Sequence, residues 1–138
     1  MIERGKSIVT YMQLLDDGDF SAAAAMFVED ATFGRPAAAE QGQPPGTLDL
    51  IVGRGNILAY LQERGIRPYR HEIRAVAADG SKEFVAGVVR ASGVAFLASA
   101  AVDQAGLISS YFSLGSVSAG LPELVDQLAT AAPATDER

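Results

Sequence analysis

The chain has 138 residues, 49% of them hydrophobic and 20% charged, which is the balance of one globular domain rather than of a disordered segment. It has no cysteine, which excludes thiolate catalysis, iron–sulfur ligation and disulfide staples, and its single histidine argues against a metal site. A net charge of −6 argues against a nucleic-acid or anionic-membrane surface, and no apolar run approaches the roughly 20 residues of a membrane span, so a cytoplasmic location is the default expectation.

Ile8, Tyr11, Met12 and Leu15 recur at three- and four-residue steps and predict an amphipathic helix from Ile2 to Asp16, ended by Gly18. Asp19 or Ser21 then caps a second short helix that runs through its alanines to Phe27. Ala31-Thr32-Phe33 reads as a short strand that stops at Gly34-Arg35-Pro36. Between Pro36 and Val52 lies a stretch of about sixteen residues too rich in Pro and Gly for a regular element, either a lid over a pocket or a plain surface excursion.

Gly55 or Asn56 opens a third helix, with Ile57, Leu58, Tyr60 and Leu61 as its stripe and Gly65 as its C-terminal cap. Four strands follow, Tyr69 to Ala77, Phe84 to Ala91, Val94 to Val102 and Leu107 to Leu114, separated by Asp79-Gly80, Ser92-Gly93 and Asp103-Gln104-Ala105-Gly106. Pro122 fits the first turn of a last helix striped by Leu121, Leu124, Val125 and Leu128. The expected architecture is α+β: one domain over residues 1–132 with a flexible tail at 133–138, in which helices close one mouth of a curved antiparallel sheet.

The run Tyr11-Met12-Gln13-Leu14-Leu15-Asp16-Asp17-Gly18-Asp19, followed by Met26-Phe27-Val28-Glu29-Asp30-Ala31-Thr32-Phe33, resembles the helix, Gly-Asp turn and Phe-x-x-Asp-Ala-Thr entry of SnoaL-like and ketosteroid-isomerase-like proteins. Val52-Gly53-Arg54-Gly55-Asn56-Ile57 is similar to the Gly-Arg that starts their third helix. The resemblance implies the cone-shaped NTF2-like fold, a fold that hosts isomerases, cyclases, hydrolases, dehydratases and pockets without chemistry. In ketosteroid isomerases a carboxylate base moves the proton while a tyrosine and a protonated acid hold the enolate oxygen. Tyr11 matches the position of that tyrosine, whereas Arg35 stands where the base is expected and Ala98 where the second acid is expected.

His71 shares strand parity with Ile73 and Ala75, which points it inward either as a general base or as a hydrogen-bonded histidine at the sheet rim. Tyr11 is the expected donor to a substrate oxygen, and Arg35 offers a guanidinium fork for an anionic one. In the last strand simple alternation would put Ile108, Phe112 and Leu114 in the core, whereas the family register, the preferred reading, turns Ser109, Tyr111 and Ser113 into the pocket and the apolar set outward. Phe96, Ala98 and Ile73 complete the expected lining. Val94 to Val102 is apolar on both faces, as in a sheet covered on both sides, so a homodimer through the outer sheet face is expected. Together these readings point to a cofactor-independent isomerase, cyclase or hydrolase/dehydratase acting on a largely apolar polyketide-, terpenoid- or steroid-like carbonyl compound. A non-catalytic binding protein of the same shape is the alternative.

Overall fold

A computed structural model of the chain describes residues 5–36, 47–68, 70–89, 92–117 and 120–131. The expected lid lies mostly at residues 37–46 and the expected tail at 133–138, both outside the described residues.

The first helix, α1 (Ser7–Asp16), buries Ile8, Tyr11, Met12 and Leu15, the face its periodicity predicts. Its N-terminus has no local side-chain cap. Instead the buried Glu83, far along the chain, accepts hydrogen bonds from the backbone N–H groups of Ser7 at 3.3 Å and Ile8 at 3.1 Å. A carboxylate at that end satisfies donors the helix cannot satisfy itself and complements its dipole. Asp19 caps α2 (Phe20–Ala24) through the Ala22 N–H, as expected, but the helix ends before Phe27. Phe27 instead begins β1 (Phe27–Pro36) and packs edge-on against Tyr11, its ring fully buried.

The strand expected at Ala31–Phe33 continues through Gly34, which pairs on both sides, and through Arg35 and Pro36, which pair on one. On one side lies β2 (Leu48–Val52), antiparallel, inside the stretch expected to hold no regular element. On the other lies β6 (Ile108–Val117), which runs parallel to it. After α3 (Arg54–Arg64), capped by Gly65 at φ 73°, come β3 (Glu72–Asp79), β4 (Lys82–Val89) and β5 (Val94–Val102). With β6 these form the expected antiparallel meander. The whole sheet is therefore mixed, curved and unclosed, with strand order β2-β1-β6-β5-β4-β3. None of the helices among the described residues is long and apolar enough to cross a membrane.

Helices α1, α2 and α3 cover the concave face of the sheet, and the main core forms between them around Ile8, Phe27, Ile57, Leu61, Val85 and Ile108. Strand alternation then sorts the rest: Val85, Phe96, Ala98, Tyr111 and Ser113 share the inner face, whereas Phe84, Leu97, Phe112 and Leu114 share the outer one. The last helix, α4 (Leu121–Thr130), packs on the outer face, where Val125 meets Val88 and Ala95. A salt bridge of 3.0 Å between Arg74 and Asp126 ties it to β3. Leu124 and Leu128 of its expected stripe remain exposed.

One expectation of register changes. The pairing of β5 with β6 slips between Ala101 and Val102, where Ile108 pairs with Val102 and Ser110 with Ala101. Ser109 is thus the extra residue of a β-bulge, and residues before it change face. Ile108, expected outward, is fully buried in the core.

Candidate functional site

Between α1, α3 and the concave face lies a cavity of about 490 Å³. Its deep part is aromatic. Tyr11 of α1, Phe33 of β1 and Tyr111 of β6 converge there, with Phe33 stacked on Tyr111 at 5.0 Å and Tyr11 meeting Tyr111 edge-on at 5.2 Å. Burial pushes both phenols well above their ordinary range, for Tyr11 with the neighbouring Tyr111 adding to it. A hydrogen bond with Ser113 pulls the other way on Tyr111, and the positive charge of Arg64 does so on both. Each phenol therefore keeps its proton near neutrality and has a hydrogen to donate.

His71 stands on another wall. It lies one residue before β3, lines the cavity, and sets its ring edge-on to Phe96 at 5.0 Å. Its Nδ1 is 2.8 Å from Oδ1 of Asp16, and its backbone N–H donates to Oδ2 of the same carboxylate at 2.7 Å. Both side chains are largely shielded, 15% and 6% exposed. A carboxylate can only accept, so in the neutral imidazole the proton sits on Nδ1 and Nε2 carries the lone pair. The Asp16 contact thus engages Nδ1 and fixes the orientation of the imidazole at the cavity wall.

The third group is cationic. Arg35 of β1 lies over the ring of Tyr60 at 4.9 Å, and its Nη2 reaches Asp49 of β2 only at 3.5 Å. Tyr60 and Arg64 lie one turn apart on α3, which puts them on one helical face, and Arg67 follows beyond the helix end. Among the described residues, no Asp or Glu belongs to the cavity lining.

Of the residues singled out in sequence, Tyr11, His71, Arg35, Tyr111, Ser113 and Phe96 line this one cavity. The others do not. Ala98 faces inward but is sealed in the core, and Ile73 is a partly buried residue packed against that core. Ser109 is exposed by the bulge and donates its hydroxyl to the Ala101 carbonyl at 3.2 Å. Asp16, Tyr60 and Arg64 were not foreseen. Asp16 had one local signal: an acidic residue in the last turn of a helix opposes the dipole and needs a compensating partner.

The family profile of the SnoaL-like domain matches residues 8–108. No curated protein matches the sequence. Among solved structures, the chain is similar to an NTF2-like protein of unknown function from Burkholderia xenovorans, at 16% identity and a TM-score of 0.65 over 94% of each chain. It is also similar to SalBIII, an epoxide hydrolase/cyclase-like enzyme of pyran ring formation in the polyether salinomycin, at 20% identity and a TM-score of 0.61, covering 80% of this chain and 88% of that one. A candidate ketosteroid isomerase from Kribbella flavida matches at 17% identity and a TM-score of 0.58, over 96% of this chain and 90% of the other. At these identities the structural likeness speaks for the fold alone.

Proposed function

The chain belongs to the SnoaL-like domain family, and on that footing we propose that its cavity is the active site of a general acid–base enzyme acting on a small carbonyl compound. The observation that carries this reading is the Asp16–His71 pair at the wall of an aromatic cavity. Nε2 of His71 takes a proton from carbon next to a carbonyl, and Asp16 stabilises the imidazolium that forms. Tyr11 and Tyr111, held in their protonated forms by burial, donate to the oxygen on which negative charge develops. Isomerisation, aldol-type cyclisation and dehydration all share this step, which fits a family that includes isomerases and cyclases.

The test is hydrogen–deuterium exchange at the α-carbons of cyclic ketones and 1,3-diketones in D2O, followed by NMR. His71→Ala should slow protein-catalysed exchange by about 10²–10⁴ while changing probe affinity by no more than about tenfold. Unchanged exchange removes His71 from the chemistry. A second reading, a non-catalytic binding pocket, draws on the hydrogen bond from the His71 backbone N–H to Asp16, since that contact alone would give the pair a role in fixing the start of β3. Absence of catalysed exchange in the unmodified protein would favour it.

For the outer face we propose a second copy of the chain as the partner. Phe84, Leu97, Phe112 and Leu114 adjoin one another there, with Leu97 57% exposed, and monomeric proteins seldom leave such a patch uncovered.

A further inference from the structure

The cavity has a charge asymmetry that proton transfer alone does not call for. The chain is acidic overall, with 17 Asp and Glu against 11 Lys and Arg, yet among the described residues the cavity lining holds arginines and no carboxylate. Cations gathered in a cleft with low-dielectric walls focus their field on whatever enters. Two of these arginines are weakly occupied within the protein. Arg35 meets Asp49 at 3.5 Å through Nη2, while its Nε is buried without a hydrogen-bond partner among the described residues. Arg64 donates from Nη1 to the Gly65 carbonyl at 3.4 Å. A buried donor left in that state, as Arg35 Nε is, costs stability unless something else accepts from it.

Position adds a direction. Arg35 rests on Tyr60, and Tyr60 shares its helical face with Arg64, so the two guanidinium groups flank the α3 side of the cavity. His71 precedes β3, and in the sheet β6, β5 and β4 all intervene between β3 and the β1 strand of Arg35. Arg35 and His71 therefore stand on separate walls, with Phe33 on the strand of Arg35 and Tyr111 on the strand next to it.

From this arrangement we infer that the ligand is an organic monoanion whose carboxylate is held by Arg35 and Arg64, and whose apolar ring body lies on the aromatic floor toward His71. The guanidinium fork matches the two coplanar oxygens of a carboxylate. Asp49, close behind Arg35, lowers the local positive charge and favours one negative charge over two. The inference rests on reading this cavity as the ligand site, but not on proton transfer taking place there.

The experiment is calorimetric titration of the unmodified protein with 2-naphthoate and with its neutral isostere 2-naphthamide, then of Arg35→Gln, Arg64→Gln and His71→Ala variants. The acid should bind at least about tenfold tighter than the amide, because hydrogen bonds to a charged group are roughly twice as strong as neutral ones. Either Gln substitution should cut that preference several-fold, and His71→Ala should keep it. Retained preference in a His71→Ala protein whose exchange rates are unchanged would refute the acid–base reading and still support this one. Equal binding of the two probes overturns the inference, as does failure of 2-naphthoate to bind at millimolar concentration. Full preference in both Gln variants, or its loss in His71→Ala, overturns the assignment of the carboxylate to the arginines.

Discussion

Replacing Asp16 with Asn tests the central pair without removing any atom of the framework. Both carboxylate oxygens now accept, one from the His71 backbone N–H and one from Nδ1. An amide keeps one acceptor. If its oxygen stays on the backbone N–H, its NH2 group faces Nδ1 and can only donate, so the neutral imidazole must move its proton to Nε2. The nitrogen left for the ligand would then lack a lone pair, and exchange catalysis should fall by about 10²–10⁴. Stability should change far less. Turning two charge-assisted hydrogen bonds into neutral ones costs about 1 kcal/mol each. Removing an anion from the last turn of α1 returns about 0.3–1 kcal/mol. The net loss is about 1–2 kcal/mol, which at roughly 3–4 °C per kcal/mol for a chain of this size lowers Tm by about 3–8 °C. Because His71 is the only histidine, its ring nitrogens give a single set of signals in long-range ¹H–¹⁵N spectra. In its neutral form the ring should carry its proton on Nδ1 in the unmodified protein and on Nε2 in Asp16→Asn. An Nε2-protonated ring in the unmodified protein, or no change in the variant, would refute the reasoning.

Phe112→Asp should turn a homodimer into a monomer, since a charge inside an apolar interface is costly unless paired; light scattering that finds the unmodified protein monomeric at micromolar concentration removes the proposed interface. Glu83→Ala strands two buried N–H groups at the start of α1 and should cost at least about 2 kcal/mol in urea denaturation, with Glu83→Gln milder; two variants as stable as the parent would show the cap to be dispensable. Tyr11 and Tyr111 predict an alkaline limit on stability. Their folded phenols titrate above the unfolded value, so their contribution is intact below about pH 10 and declines as the unfolded chain releases protons that the fold retains. Denaturation midpoints measured from pH 8 to pH 11 should fall along this course, and less so in the Tyr11→Phe/Tyr111→Phe double variant; equal slopes would refute the assignment.

Local periodicity carried most of the fold. The helical face of α1, the Gly65 cap of α3 and the hairpins of the meander all follow from residues close in sequence, and the structure places them as their spacing predicts. What misled was dependence on distant partners. Gly34-Arg35-Pro36 looks like the end of a strand, and becomes strand because β2 pairs along its whole length and β6 at Gly34. Ser109 follows the alternation of Tyr111 and Ser113 on paper, but one unpaired residue opposite the Ala101–Val102 step turns it outward. In the site, Tyr11 and Arg35 were legible from the resemblance and His71 from its solitude. Asp16 was not, because its partner lies 55 residues away and only the folded sheet brings them together.

That distance also bears on how the site departs from the ketosteroid isomerase pattern. On the resemblance, Arg35 stands where that pattern has its base and Ala98 where it has its second acid, and Ala98 is sealed in the core. On the acid–base reading, the proton acceptor has moved to another wall of the cavity, where His71 is backed by Asp16, and the position it left now carries a cation. The two changes require each other. An anionic base beside Arg35 would pair with the guanidinium and lose basicity, whereas a neutral imidazole several strands away keeps its lone pair and leaves Arg35 to bind. Restoring the older arrangement with Arg35→Asp alone should therefore not rescue exchange in His71→Ala, because the new carboxylate would face Asp49 at close range across β1 and β2 and would be poorly placed to ionise. Recovery of exchange in that double variant would show that the two walls are interchangeable and that the base need not sit with Asp16.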